Sequence, residues 1–296
     1  MALYVQTNTS SINSQRMLAR STRQLDTSYE RLSSGLRINS AKDDAAGLQI
    51  SNRMASQING LTQGNRNAND GISMCQVTEG ALDEVTSMLQ RIRTLAIQSA
   101  NGTNSSAERI AINEEVQQLI KEVRRVGTDT SYGGNLKILG PDVSDTVFQV
   151  GSNAYQTISL TMKSLSKLVT VTATFNIPNS SGTTAATIDP NTTLSNMTVT
   201  SADDSQKTIA FMSEIIRQVD SYRAELGAVQ NRMESTISNQ ENVIENVSDA
   251  RSRIRDVDYA VETANMTQQS IIQQASTTIL TQANQKTQIA MNLLQG

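Results

Sequence analysis

Histidine and tryptophan are both absent from the 296 residues. Without histidine, no side chain has an ordinary pKa suited to acid–base work near neutrality. There is also no imidazole partner for a nucleophile and no HExxH zinc site. Cys75 is the one cysteine, which excludes an intrachain disulfide. Aromatic residues are 3% of the chain and hydrophobic residues 37%, too little bulk to fill a large rounded core. Narrow stripes of Leu, Ile, Val, Met and Ala on long helices suit this composition better. No apolar run reaches the roughly 18 residues that a membrane-spanning helix needs, so no membrane insertion is expected. The start, MALYVQTNTSSIN, lacks a basic stretch followed by an apolar run, and no secretory signal is expected. Net charge is −3, and the positive clusters KEVRR (121–125) and ARSRIR (250–255) sit beside acidic residues. They read as solvated helix faces, not as a nucleic-acid surface.

What is present is rhythm. Met212, Ile215, Val219, Tyr222, Leu226, Val229 and Met233 step by three and four. Thr236 and Gln240 occupy the next two slots, and the stripe resumes with Val243, Val247, Ala250, Ile254, Val257, Val261 and Ala264. A 3.5-residue period sustained this far predicts a coiled-coil seam. Ile271, Ala275, Ile279, Leu280, Ala283, Ala290, Leu293 and Leu294 carry apolar character to the C-terminus. At the other end Leu18, Leu25, Tyr29, Leu32 and Leu36 form a first stripe. A second runs through Met54, Ile58, Leu61, Asn65, Ala68, Ile72, Cys75, Leu82, Val85, Leu89, Ile92 and Ala96. ANGTNSSAE (100–108) interrupts it: Gly102 is a stop signal, and Ser105-x-x-Glu108 has capping-box spacing for a helix ending near Gly127.

All three prolines, Pro141, Pro178 and Pro190, lie in the middle. NLKIL, TVFQV, QTISLTM and KLVTVTATF are β-branched and roughly alternating, which predicts hairpins. Residues 177–205 are rich in Ser, Thr and Asn and read as an exposed tip. Long helices with narrow stripes must find partners, so the two chain ends are expected to pair. The fold class expected is mainly α: a long antiparallel coiled-coil bundle built from both ends, with a small β-hairpin-rich centre. Three parts are expected: a terminal coiled coil of 1–42 with 255–296, a helical rod of 43–176 with 206–254, and the tip. The terminal seam is poorer in apolar residues than the rod, so its stripe needs more partners than one chain supplies.

RLSSGLRINSAKDDAAGLQI (31–50) is a polar joint between two stripes. Gly35 lets the backbone turn, Asn39 and Ser40 can cap the next helix, and Ser40-x-x-Asp43 has capping-box spacing, with Asp43 and Asp44 in the first turn. LDTSYERLSSGLRINSAKDDAAGLQISNRM (25–54), with NRNANDGISMCQVTEGALDEVTSMLQRIRTLAIQSANGTN (65–104), resembles the N-terminal block of bacterial flagellins. ARSRIRDVDYAVETANMTQQSIIQQASTTILTQANQ (250–285) resembles the C-terminal block.

The resemblance implies a structural, non-enzymatic subunit of the flagellar filament, exported without a cleaved signal and folding outside the cell. Leu18, Leu25, Leu32, Leu36, Ile271, Ile279, Leu280, Leu293 and Leu294 would pack the filament core. Gly35, Asn39, Ser40 and Asp43 would form the interdomain joint. Its implied partners are further copies of the chain, the flagellar cap and hook-junction proteins, and a cytosolic export chaperone on the C-terminal segment. LQRIRTLAIQSANGT (89–103) resembles the segment recognised by the vertebrate Toll-like receptor for flagellin, which implies receptor contact at Arg91, Leu95 and Glu115. Arg91 and Leu95 are four apart on a face beside the seam, so Leu95 is expected to be exposed. Many members of the family carry Glu where this chain has Thr94.

Cys75 falls on the seam and reads as a small buried thiol. Asp43/Asp44 and Asp256/Asp258 lack the company of a metal or catalytic site and read as surface charges. NGT (101–103), NTT (191–193) and NMT (196–198) are weak glycosylation-like triplets. No cofactor is expected. A hook–filament junction protein of the same superfamily, an enzyme on a helical scaffold and a coiled-coil adhesin are the alternatives. The missing histidine argues against the enzyme.

Overall fold

The computed structural model describes residues 7–134, 136–171, 175–178, 184–188 and 192–295, with side chains left out at 171–192, 286–288 and 290–295. Helix α1 spans Thr9–Ser34, α2 Ala45–Ala100, α3 Ser106–Asp129, α4 Leu165–Leu168, α5 Ala202–Arg255 and α6 Tyr259–Gln295. Among the described residues, eight short strands lie between α3 and α5: β1 (Ser131–Tyr132), β2 (Leu136–Lys137), β3 (Thr146–Gln149), β4 (Thr157–Leu160), β5 (Thr170–Val171), β6 (Phe175–Pro178), β7 (Thr184–Ile188) and β8 (Thr192–Thr193). They pair antiparallel as β1–β2, β3–β4, β5–β8 and β6–β7. The mainly helical class with a small hairpin-rich centre is therefore what forms. The chain divides into two compact units, 1–58 with 243–296 and 59–242. The helix breaks lie elsewhere, at 35–44 and 256–258.

In the first unit α1 and α6 pack as an antiparallel pair. Ser11, Ser14, Ser21, Leu25 and Ser28 are buried on α1, with Leu18 half-buried between them and Leu32 half-buried one turn beyond. These positions step by three and four throughout, so the coiled-coil period is present, but most of its slots hold serine. Tyr29, expected in this stripe, is 58% exposed, because Ser28 takes the inward slot. Leu36 is half-buried and pairs with Asp256 in an isolated bridge, off the helix. On α6 the inward line is Glu262, Met266, Gln269, Gln273, Ser276, Leu280 and Ala283. Leu293 and Leu294 lie outside the residues whose side chains are described.

The seam predicted to run unbroken through Val257 and Val261 is interrupted. Helix α5 stops at Arg255, α6 starts at Tyr259, and Val261 is 56% exposed. The break has a local cause in Asp258: its carboxylate accepts from the N–H groups of Ala260 and Val261, and its carbonyl accepts from Glu262 N. An aspartate that satisfies the free N–H groups of a new helix marks a start.

In the second unit the rhythm holds as expected. Cys75, Thr78, Leu82, Val85, Leu89, Ile92, Ala96 and Ser99 on α2 are buried, as are Val116, Ile120 and Val123 on α3 and Met212, Ile215, Val219, Tyr222 and Leu226 on α5. Each large apolar side chain so buried contributes roughly 1.5–3 kcal/mol before ordering costs. Tyr222 satisfies its hydroxyl inside this core by donating to Thr161 O and accepting from Lys163 N.

The β3–β4 hairpin docks on α2 by close backbone approach. A Cβ at Gly64 would stand 1.8 Å from Val150 O, and one at Gly60 would stand 3.0 Å from Ser152 Cα. Asn67 Nδ2 donates to Gln149 O at 2.8 Å and Gln240 Nε2 to Val150 O at 2.8 Å. Gln240, a polar slot in the α5 stripe, is therefore the anchor for a strand end.

The tip expected at 177–205 is not exposed throughout. Leu194 and Val199 join the core, and α5 already begins at Ala202. Ser99 Oγ donates to Val199 O, Asn113 Oδ1 accepts from Val199 N, and Gln117 Nε2 donates to Met197 O. Polar side chains on α2 and α3 satisfy the backbone of this segment, which lets a Ser/Thr/Asn-rich stretch be buried.

Candidate functional site

Three places carry the residues singled out from the sequence. The first is the joint at 31–44. Gly35 sits at φ 72° and its N–H donates to Arg31 O, ending α1 in the left-handed conformation that glycine adopts without penalty. The start of α2 differs from expectation. Asp44, not Ser40, caps it: Gly47 N donates to Asp44 Oδ1 and Leu48 N to Asp44 O. Asp43 turns back instead and accepts from Ser40 N, Ser40 Oγ and Asn39 N. The Ser40 backbone bond, with the other two donors, holds the Asp43 carboxyl below its usual range.

The joint is closed by contacts that sequence spacing does not reveal. Arg37 N donates to Arg255 O at 2.6 Å, Val257 N to Gly35 O at 3.0 Å, and Arg37 Nη2 to the carbonyls of Ile254 and Arg253. An arginine thus covers the last carbonyls of α5. The residue in the sequence that signals this closure is Arg37, two positions after the Gly35 turn.

The second place is the outer face of the α1–α6 pair. Ile12, Met17 and Tyr29 on α1, and Val261, Ile271, Ile279 and Ile289 on α6, are each more than half exposed. The seam inside the pair holds serines, glutamines and Glu262. Of the residues assigned to filament packing, Leu25 is buried, Leu18, Leu32 and Leu280 are half-buried, and Ile271 and Ile279 face outward. Pair formation within one chain therefore leaves Tyr259, Val261, Ile271, Ile279 and Ile289 of α6 uncovered.

The third place lies across α2 and α3. Arg91 Nε and Nη2 both reach Glu115 Oε1, at 3.0 and 2.7 Å, with both side chains about half exposed. The structure thus brings Arg91 and Glu115 together. Leu95 does not join them at the surface: it is 2% exposed and belongs to the core. The expectation of an exposed leucine fails because Leu95 joins the core that α2 shares with α3 and α5, and a single helix wheel does not show where the other helices will lie.

Classical chemistry finds no setting among the described residues. No cluster of three potential metal ligands occurs. Cys75 is fully buried, and burial, then Glu79, pushes its thiol up to about 11, so it is an inert core residue. Asp256 and Asp258 serve the bridge and the α6 cap described above. Among the described residues, no helix is long and apolar enough to cross a membrane.

Comparison with known proteins gives a consistent result. Residues 5–139 match the family described as the bacterial flagellin N-terminal helical region, and residues 209–294 the bacterial flagellin C-terminal helical region. Flagellin A of Vibrio cholerae is 38% identical over 380 aligned residues, covering 100% of both chains. B-type flagellin of Pseudomonas aeruginosa is 55% identical over 166 residues, 56% of this chain and 34% of that one. A solved flagellin of Bacillus cereus aligns with a TM-score of 0.46 at 23% identity over 59% of this chain and 88% of the other, too loose a likeness to add weight.

Proposed function

The chain belongs to the bacterial flagellin family, structural filament proteins and not enzymes, and from that premise we infer that each copy is completed by its siblings. It polymerises into the flagellar filament used for swimming, with the α1–α6 pair as the part that neighbouring copies cover. One observation carries this: the pair fills much of its inward line with serines, glutamines and Glu262, beside Leu25, Ala283 and a few half-buried leucines, and turns Ile271, Ile279 and Val261 outward. A helix pair meant to stand alone in water would turn those large apolar side chains inward. Burial of those side chains between copies supplies about 25 cal/mol per Å² against the cost of ordering the ends.

Electron microscopy of purified chain seeded with filament fragments tests this. Long tubes are expected, and Ile271→Asp with Ile279→Asp should abolish them while leaving the second unit folded. A ring of fixed copy number would instead indicate the hook–filament junction role. Whole-length similarity to relatives named flagellin favours the filament.

The finer partners rest on the same premise. The exposed α6 face would be shielded before export by a cytosolic chaperone, and growth would occur outside the cell beneath the cap, from the hook junction. Arg91 and Glu115, exposed and mutually oriented, would be the charged contacts for the vertebrate Toll-like receptor, with Leu95 holding α2 and α3 in place beneath them. Arg91→Ala with Glu115→Ala should lower receptor activation by monomer. Unchanged activation would remove this part of the reading.

A further inference from the structure

Within the second unit, α2 and α5 leave an open groove of about 510 Å³ lined by Gln90, Arg93, Thr94, Ser213 and Ile216. Arg93 is exposed and donates to Ser213 Oγ, and among the described residues it has no ion-pair partner. One turn nearer the 101–105 loop stands Ile97, 50% exposed. On α3 a matching pair occurs. Glu114 is exposed, and no ion-pair partner is found for it among the described residues. Ile110, one turn nearer the same loop, is 51% exposed. These two face away from the core: Val116 is fully buried, Glu115 turns to α2, and Asn113 turns to Val199.

We propose that the α2/α5 groove receives the outward face of α3 from a second copy of this chain, with Glu114 of that copy against Arg93 and its Ile110 against Ile97. Opposite charges select this occupant. The order of the residues supports a parallel arrangement, because α2 and α3 run in opposite directions around one loop. In both faces the isoleucine is therefore the residue closer to the loop. A sideways shift of one copy past another brings charge to charge and isoleucine to isoleucine together. Because groove and ridge are different surfaces, the contact is heterologous, and a heterologous contact related by a sideways shift, with no rotation that returns to the first copy, repeats as an open row. The proposal deepens the filament reading and rests on it.

The test is a charge exchange in the full chain, read as the critical concentration for seeded growth. Arg93→Glu and Glu114→Arg should each raise it roughly tenfold, and the double exchange should return it to within about threefold of the parent. Monomer melting should be unchanged in all three. Arg93→Ala and Glu114→Ala serve as a second set, whose double variant should be no worse than either single one. Parent filaments with indifferent single exchanges, or a double exchange no better than the singles, would overturn the pairing and leave the filament reading intact. A parent that forms no filaments would overturn both.

Discussion

The Ser28 hydroxyl donates a 2.5 Å hydrogen bond to Glu262 Oε1, across the interior of the α1–α6 pair. Glu262 is 6% exposed, and its other oxygen lies 3.6 Å from Arg31 Nη1. A buried carboxylate that depends on two partners is sensitive to losing either. Ser28→Ala should destabilise the pair by about 1–3 kcal/mol. Amide exchange along α1 in assembled protein reads this, with faster exchange expected. Ser28→Ala combined with Glu262→Leu should recover part of the loss, because no buried charge is then left short of a donor.

Gly64 and Gly80 both lie in α2 and should respond oppositely to alanine. At Gly64 the new Cβ meets the Val150 carbonyl at 1.8 Å, a backbone atom that cannot swing aside. The hairpin must shift, at a cost of roughly 1–3 kcal/mol. At Gly80 nothing stands within 4 Å, and alanine should stabilise the helix by up to about 1 kcal/mol. Denaturant melts of the two variants decide between these outcomes.

Cys75 gives a pH dependence with a definite sign. Its thiol is raised from 9.0 to about 11 in the folded chain. Below the lower value both states are protonated and stability is fully present. As pH rises between these two values the unfolded chain ionises and the folded one does not, so stability falls, by about 2–3 kcal/mol in all. Denaturant melts across this range should show the slope, and Cys75→Ala should remove that part of it. Thiol reagents should react slowly with the native chain.

The caps at the joint should carry different weights. Asp44→Ala and Asp258→Ala each remove a helix start and should cost about 1 kcal/mol, seen as lower melting temperature or faster exchange at the first turns of α2 and α6. Asp43 is exposed, and its depressed carboxyl stabilises the turn only when ionised. That contribution is present above its ordinary value of 3.8 and fades as pH falls below it. Loosening of residues 39–43 on acidification, followed by amide exchange, checks the direction.

Much of this protein was legible along the chain because it depends on neighbours within four residues. The three-and-four rhythm of α2 and α5, the Ser105–Glu108 capping box and the Gly35 turn are such features, and all three are present. The buried Cys75 follows from the same rhythm. The long blocks at both ends were enough to indicate the family. The candidate receptor contact was legible only in part. Arg91 and Glu115 meet, but Leu95 is covered by a helix whose position the α2 pattern does not encode.

Sequence by itself determined that long helices form at both ends of the chain, which face of each is apolar in the second unit, and that the ends are short of core. Tertiary structure decided what the sequence left degenerate. Ser28 and not Tyr29 faces α6, Gly64 is where a carbonyl presses in, Leu194 and Val199 are inside, and Ile271 and Ile279 of α6 face outward. The physical reason is range. Hydrogen-bonded turns, caps and periods are settled by adjacent residues, whereas the choice between two faces of similar polarity is made only when a second helix packs and excludes water from one of them.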